Sequence, residues 1–257
     1  MNKRVYYVAF TTIVRKEILR FARIWVQTLL PPAVTMALYF LIFGRLIGPR
    51  IGSMGQFSYT EYIAPGLIMM SVITNSYANV VSSFFGAKFQ KHIEEMLVAP
   101  IPNWLMLAGF ISGGVARGLA VGVVVTIVAL FFTRLGLHHA FVMIGMAFLT
   151  ATLFSLAGLI NGIFAKKFDD ISIIPTFVLT PLTYLGGVFY SMDMLPTFWQ
   201  KVSLANPILY MVSAFRYGVL GTSDVNIGTA FAVIIALIAV LLVFSLYLMN
   251  RGVGIRT

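Results

Sequence analysis

The chain contains no cysteine. That excludes a disulfide framework, a thiolate metal site and a cysteine nucleophile together. Charge is also scarce: 10% of the 257 residues are Asp, Glu, Lys or Arg, where a soluble domain carries about a quarter. Acids are the rarer sign, eight against eighteen bases, and all fall between or at the ends of apolar runs. An ion-coupled carrier would need carboxylates inside those runs. Histidine occurs only at His92, His138 and His139, never as HExxH and never within an apolar run. A zinc hydrolase and a serine-type intramembrane protease both lose their bases. No GxxxxGK[ST] stretch is present, so the chain has no phosphate-cradling loop of its own.

What the chain has is hydrocarbon. It is 60% hydrophobic with a mean hydropathy of +0.94. Its apolar runs are long enough to cross a bilayer as helices, and strand alternation is weak, so the fold class is all-α and polytopic. The net charge of +10 sits between hydrocarbon-length runs, where it reports orientation in a membrane and not nucleic-acid binding.

Residues 1–24 predict an amphipathic helix. Tyr6, Phe10, Ile13, Val14, Ile18 and Phe21 recur at helical spacing, with Lys3, Arg4, Arg15, Lys16, Arg20 and Arg23 against the single acid Glu17. Charge interrupts the apolar residues, so this is not a signal peptide but a helix anchored at anionic lipid headgroups or else an unusually basic start to the first span. Six spans follow, at about 25–47, 61–85, 104–132, 140–164, 171–190 and 227–249. The second carries Asn75 and Asn79 four apart on one face, where they either bond between helices or line a wet path. The third holds Gly109, Gly113, Gly114, Gly118 and Gly122 at four-residue spacings, which admit a close neighbour, and Arg117 far from both ends. The fifth has Pro175 and Pro181, whose freed carbonyls need partners. Residues 191–226 are too proline-broken to cross straight and read as short interfacial or re-entrant helices.

The segment on which the rest depends is Gly86 to Asn103, GAKFQKHIEEMLVAPIPN. It packs Lys88, Lys91, His92, Glu94 and Glu95 into a few turns between two apolar runs, with Ile93, Met96 and Leu97 at helical spacing. It is either a solvated connector or a short helix for docking a soluble partner. Counting bases by side puts Lys3, Arg4, Arg15, Lys16, Arg20, Arg23, Lys88, Lys91, Lys166, Lys167, Arg251 and Arg256 on one side. Only Arg45, Arg50, Arg134, Lys201 and Arg216 fall on the other, which predicts both termini in the cytoplasm.

Two stretches carry a family resemblance. Ile93-Glu94-Glu95-Met96-Leu97 followed by Pro100-Ile101-Pro102 resembles the cytosolic coupling region of ABC type-two exporter permeases of the bacterial inner membrane. Leu195-Pro196, then Asn206-Pro207-Ile208-Leu209-Tyr210 and Arg216, is similar to that family's C-terminal signature, with Tyr184-Leu185-Gly186-Gly187-Val188 matching its upstream part loosely. The resemblance covers essentially the whole chain. It implies a homodimer or pseudo-dimer of six-helix permeases above two separate ATP-binding subunits, which hold the ATP and Mg; this chain itself needs no cofactor and is not an enzyme. It also implies ATPase contact at Lys88, Lys91, Glu94, Glu95 and Pro100, with Glu94 foremost. Asn75, Asn79, Thr180 and Tyr184 would lie along the substrate route, and Pro196, Pro207, Tyr210 and Arg216 belong to the signature. The expected cargo is an amphipathic lipid, a glycan or a drug-like molecule. The rival readings are an ATP-independent carrier or channel, and a membrane-embedded enzyme.

Overall fold

A computed structural model of the protein describes residues 3–254; Arg256, counted above, lies outside them. Helix α1 (Lys3–Arg23) leads into α2 (Trp25–Tyr39), which runs on through a π-helical stretch, Phe40–Ile47, into α3 (Gly48–Ile51). A two-residue hairpin, β1 (Ser53–Met54) and β2 (Phe57–Ser58), pairs antiparallel with Ser53 opposite Ser58. Then come α4 (Tyr59–Phe89), α5 (His92–Val98), α6 (Asn103–Leu130) and α7 (Ala140–Phe164). The chain closes with α8 (Asp170–Ile174), a π-helical stretch (Pro175–Leu179), α9 (Thr180–Tyr184), α10 (Thr197–Leu204), α11 (Pro207–Leu220) and α12 (Ile227–Arg251).

Five helices among the described residues are long and apolar enough to cross a membrane: Trp25–Ile51, Tyr59–Phe89, Asn103–Leu130, Ala140–Phe164 and Ile227–Arg251. The protein is an all-α polytopic membrane protein. The expected fifth crossing takes a different form, with three five-residue pieces running from Asp170 to Tyr184. At ~1.5 Å per residue they reach about 22 Å, short of a hydrocarbon core roughly 30 Å thick. Proline is the cause. Pro175 has no N–H for the carbonyl of Ile171, and that carbonyl instead accepts from Asn161 Nδ2 of α7 at 3.2 Å. The amide of Thr180 reaches back five residues to the Pro175 carbonyl, so the helix widens there.

Helix α4 is the axis of the bundle. Its start is fixed by a capping box in which Ser58 and Glu61 satisfy each other's backbone N–H groups. Most of its length is then buried among α6, α7 and α11. Close approach comes from glycine on the neighbours. A Cβ on Gly158 of α7 would lie 2.6 Å from the Tyr77 carbonyl oxygen, and one on Gly122 of α6 would lie 2.8 Å from Val72 Cγ2. α6 is glycine-lined on two faces: Gly114, Gly118 and Gly122 receive α4 with α7, while Gly109 and Gly113 receive Ile13 and Glu17 of α1. The small-residue stripe thus serves two partners.

The bundle has two distinct ends. At one, α5 sits with the start of α1, the α7–α8 turn and the last residues of α12, where Asn103 Nδ2 donates to Asn250 Oδ1 at 2.8 Å. The far end holds the β-hairpin, the 133–139 turn and the entry to α10. There α10 and α11 form a pair of short helices. The Asn206 amide at their junction donates to the Leu182 carbonyl of α9 at 2.7 Å, and α11 returns to Gly218, whose carbonyl accepts from the His138 and His139 N–H groups at 3.0 and 2.8 Å.

Candidate functional site

The corner between α4 and α5 is made by Lys91, which has φ 61°, the one positive φ at a non-glycine residue among those described. Such a conformation costs a lysine on the order of 1 kcal/mol. It is held by the Gln90 amide on the Gly86 carbonyl and the Lys91 amide on the Lys88 carbonyl, both at 3.0 Å. α5 then turns Ile93 into the bundle, where it is 1% exposed and joins the cluster that includes Ala87, Met106 and Leu107. Glu94 and Glu95 point outward in its first turn, where a carboxylate suits the positive end of the helix. Lys91, His92, Val98 and Pro100 are exposed around them. Met96 and Leu97 pack part-buried against the same cluster, and an apolar edge with an outward charged face is the geometry of a helix seated on its own bundle that presents its other side to another surface.

Lys88 stands apart from that surface. It ends α4, and its Nζ donates to the carbonyls of Ile163 and Ala165 at 2.6 and 2.8 Å. Those are orphan acceptors at the C-terminus of α7, which a cation satisfies well. The α7–α8 turn beyond is closed by Asp170, whose Oδ2 accepts from the N–H groups of Lys166 and Lys167 at 2.8 and 2.9 Å. These bonds favour the ionised carboxylate and lower its pKa. Phe89 and Phe168 meet edge to face at 4.9 Å and join this turn to the α4–α5 corner.

Behind this end lies a polar seam. Glu17 of α1 is fully buried and accepts from Ser83 Oγ at 2.6 Å and Arg20 Nε at 3.4 Å. Arg20 also donates through Nη2 to the Asn79 side chain at 2.8 Å and its carbonyl at 3.0 Å. One turn further, Arg117 Nη2 of α6 donates to Asn75 Oδ1 at 3.3 Å. Asn75 and Asn79 therefore bond between helices, the first of the two roles open to them, and Arg117 has found a protein acceptor.

The accessible edge of α4 lies one position round the wheel. Met70, Ala78, Ser82 and Gly86 are part-exposed and Thr74 exposed, four apart along one line, and the hydroxyls of Thr74 and Ser82 fold back on the carbonyls of Met70 and Ala78. Thr180 and Tyr184 are exposed on α9, and Tyr184 Oη lies 3.1 Å from Tyr39 Oη with its ring stacked on Phe189.

The signature residues build the far end. Pro196 precedes α10, and Pro207 is the first residue of α11, where its missing N–H costs nothing. Tyr210 Oη donates to the Leu204 carbonyl at 2.8 Å. Arg216, placed in the sequence among interfacial helices, is in fact 1% exposed. It pairs with Asp224 at 2.9 Å, donates to the Gly187 carbonyl, and lies 4.0 Å from the centroid of the Tyr62 ring. A buried guanidinium needs all of these partners.

Two residues of these clusters escaped sequence reasoning. Glu17 was visible as the acid four residues after Ile13 and four before Phe21, both buried, so it lies on the apolar face and had to be paired. Asp224 carried no comparable signal; it reaches Arg216 only because Gly221, at φ 82°, turns the chain back after α11.

A multi-helix membrane transporter subunit is the class these features define. The chain belongs to the ABC-2 type transporter family, whose model matches residues 8–220. It is 61% identical over 254 residues to the inner membrane transport permease YadH of Escherichia coli K12, covering 98% of this chain and 99% of that protein. Nodulation protein J of Rhizobium leguminosarum bv. viciae is 24% identical over 241 residues, 92% of each chain. The protein is a transport component and not an enzyme.

Proposed function

We propose that this chain is the transmembrane subunit of an ATP-driven exporter of a bacterial inner membrane, with both termini in the cytoplasm. Two copies pair with two ATP-binding subunits, which dock on α5 and hold the nucleotide and its Mg. The observation that carries this reading is α5 itself: a short helix seated on the bundle by Ile93, with Met96 and Leu97 beside it, and with Glu94 and Glu95 turned away from the bundle. ATP-driven closure of the partner subunits moves α5 as a rigid piece. Lys91, Glu94, Glu95 and Pro100 form the docking face; Lys88 braces it from behind.

The route for an amphipathic lipid, glycan or drug-like cargo runs along the Met70–Thr74–Ala78–Ser82 edge of α4 and past Thr180 and Tyr184, all accessible. Asn75 and Asn79 support that wall from inside. The exposed apolar face of α8 and the π-helical stretch after it, with Ile173 and Phe177, is where the second copy closes the path.

The test is co-purification of tagged permease in nanodiscs from a host expressing its genomic neighbours, assayed for vanadate-sensitive ATP hydrolysis. A stoichiometric ATPase subunit is expected, and Glu94→Arg should abolish coupled transport while the permease stays inserted and dimeric. A dimer that purifies alone would overturn the reading in favour of an independent carrier.

A further inference from the structure

Near the far end, α4, α6, α7 and α11 surround an apolar cavity of about 510 Å³. Its wall follows α6 from Leu119 to Leu130, about 16 Å at ~1.5 Å per residue. That is close to one leaflet of a hydrocarbon core roughly 30 Å thick. Thr126 is the single polar side chain in the lining, and its hydroxyl is already bonded to the Gly122 carbonyl at 2.7 Å. The space therefore offers no free donor to water, and it is open along one side, where Val123, Ile127 and Ile144 are more than half exposed.

A second cavity of about 280 Å³ adjoins it at the far end, sharing Gly136, Leu137 and Val219. Here the lining includes Glu61, Arg134 and His138. Glu61 and Arg134 form no ion pair among the described residues. Glu61 is held by the α4 cap, its Oε2 accepting from the Ser58 N–H and hydroxyl at 2.8 Å each, while Oε1 makes no bond among the described residues. One fixed anion and one cation thus border a space that shares a wall with a leaflet-deep apolar slot.

We propose that the joined cavities hold one resident phospholipid with a primary-amine headgroup. An acyl chain fills the apolar slot, the phosphate meets Arg134, and the ammonium meets Glu61. Phosphate and ammonium are adjacent in such a headgroup, as the two side chains are around one cavity. An anionic glycerol headgroup would bring no cation to Glu61, and a quaternary ammonium has no N–H to donate to it. The site is independent of the ATPase reading.

The test is native mass spectrometry of detergent-purified permease titrated separately with palmitoyl-oleoyl phosphatidylethanolamine, phosphatidylcholine and phosphatidylglycerol. One phosphatidylethanolamine per chain is expected to bind about tenfold more tightly than either other lipid. Arg134→Gln and Thr126→Trp should each weaken it about fivefold or more, and Glu61→Gln should erase the preference for ethanolamine over choline. Should Thr126→Trp not yield monodisperse protein, Val123→Trp, from the same wall and 60% exposed, replaces it. Equal binding of ethanolamine and glycerol lipids, adducts indifferent to the headgroup, or unchanged binding in the tryptophan variant would each overturn the proposal.

Discussion

Glu17 of α1 accepts a 2.6 Å hydrogen bond from Ser83 of α4, 66 residues further along the chain. With Arg20 bound to Asn79, it ties the first helix to the central one. Glu17 is buried while Arg20 keeps 32% of its side chain exposed, so Glu17→Ala, which strands the Ser83 hydroxyl and removes the pair with Arg20, should destabilise the permease by about 3 kcal/mol. Ser83→Ala, which loses one hydrogen bond to a charged group, should cost about 1–3 kcal/mol. Thermal unfolding of the purified protein reads both. A Glu17→Ala loss no larger than that of Ser83→Ala would show that α1 is held by Ile13 and Phe21 alone.

Lys88 and Glu94 lie close in sequence yet should fail in opposite ways. Lys88→Met strands the Ile163 and Ala165 carbonyls and should lower stability by about 1–3 kcal/mol, while an ATPase subunit still co-purifies. Glu94→Arg alters an exposed side chain and should leave stability within about 0.5 kcal/mol. The comparison needs one melting curve and one pull-down per variant. Loss of the ATPase from a folded Lys88→Met protein would return Lys88 to the docking face.

Arg216 and Asp224 should behave as a unit. Either Arg216→Met or Asp224→Leu alone should cost about 3–5 kcal/mol, because each abandons a buried charge, whereas the double substitution should recover much of that. A double-mutant cycle on thermal stability measures the coupling. Strictly additive losses would mean that Gly187, Ser191 and Ser213 satisfy the two charges without each other.

The class of fold was legible because hydrocarbon-length runs leave a chain few options, whereas the caps at Ser58 with Glu61 and at Asn206 with Pro207 came only with the structure. The fifth crossing was not legible. Two prolines announce a broken helix, but where it widens depends on Asn161 reaching the Ile171 carbonyl from another helix, which no local pattern records. The polar face of α4 was read one residue off. Thr74 and Asn75 are consecutive residues about 100° apart on the helical wheel, and polar side chains recur on both lines, so the sequence could show that the helix is polar without showing which polar residue faces inward. Glycine spacing on α6 predicted close packing, yet only the structure distributes the glycines between α1 and α4.

The seat of α1 also has a bearing on the order of synthesis. α1 leaves the ribosome well before the surfaces it is built to cover, Gly109 and Gly113 of α6 and Ser83 of α4. In that interval Glu17 has no partner but its own helix, with Lys16 and Arg20 beside it. The surplus of basic side chains gives the waiting helix a berth on anionic headgroups, from which it is withdrawn once α6 has been inserted.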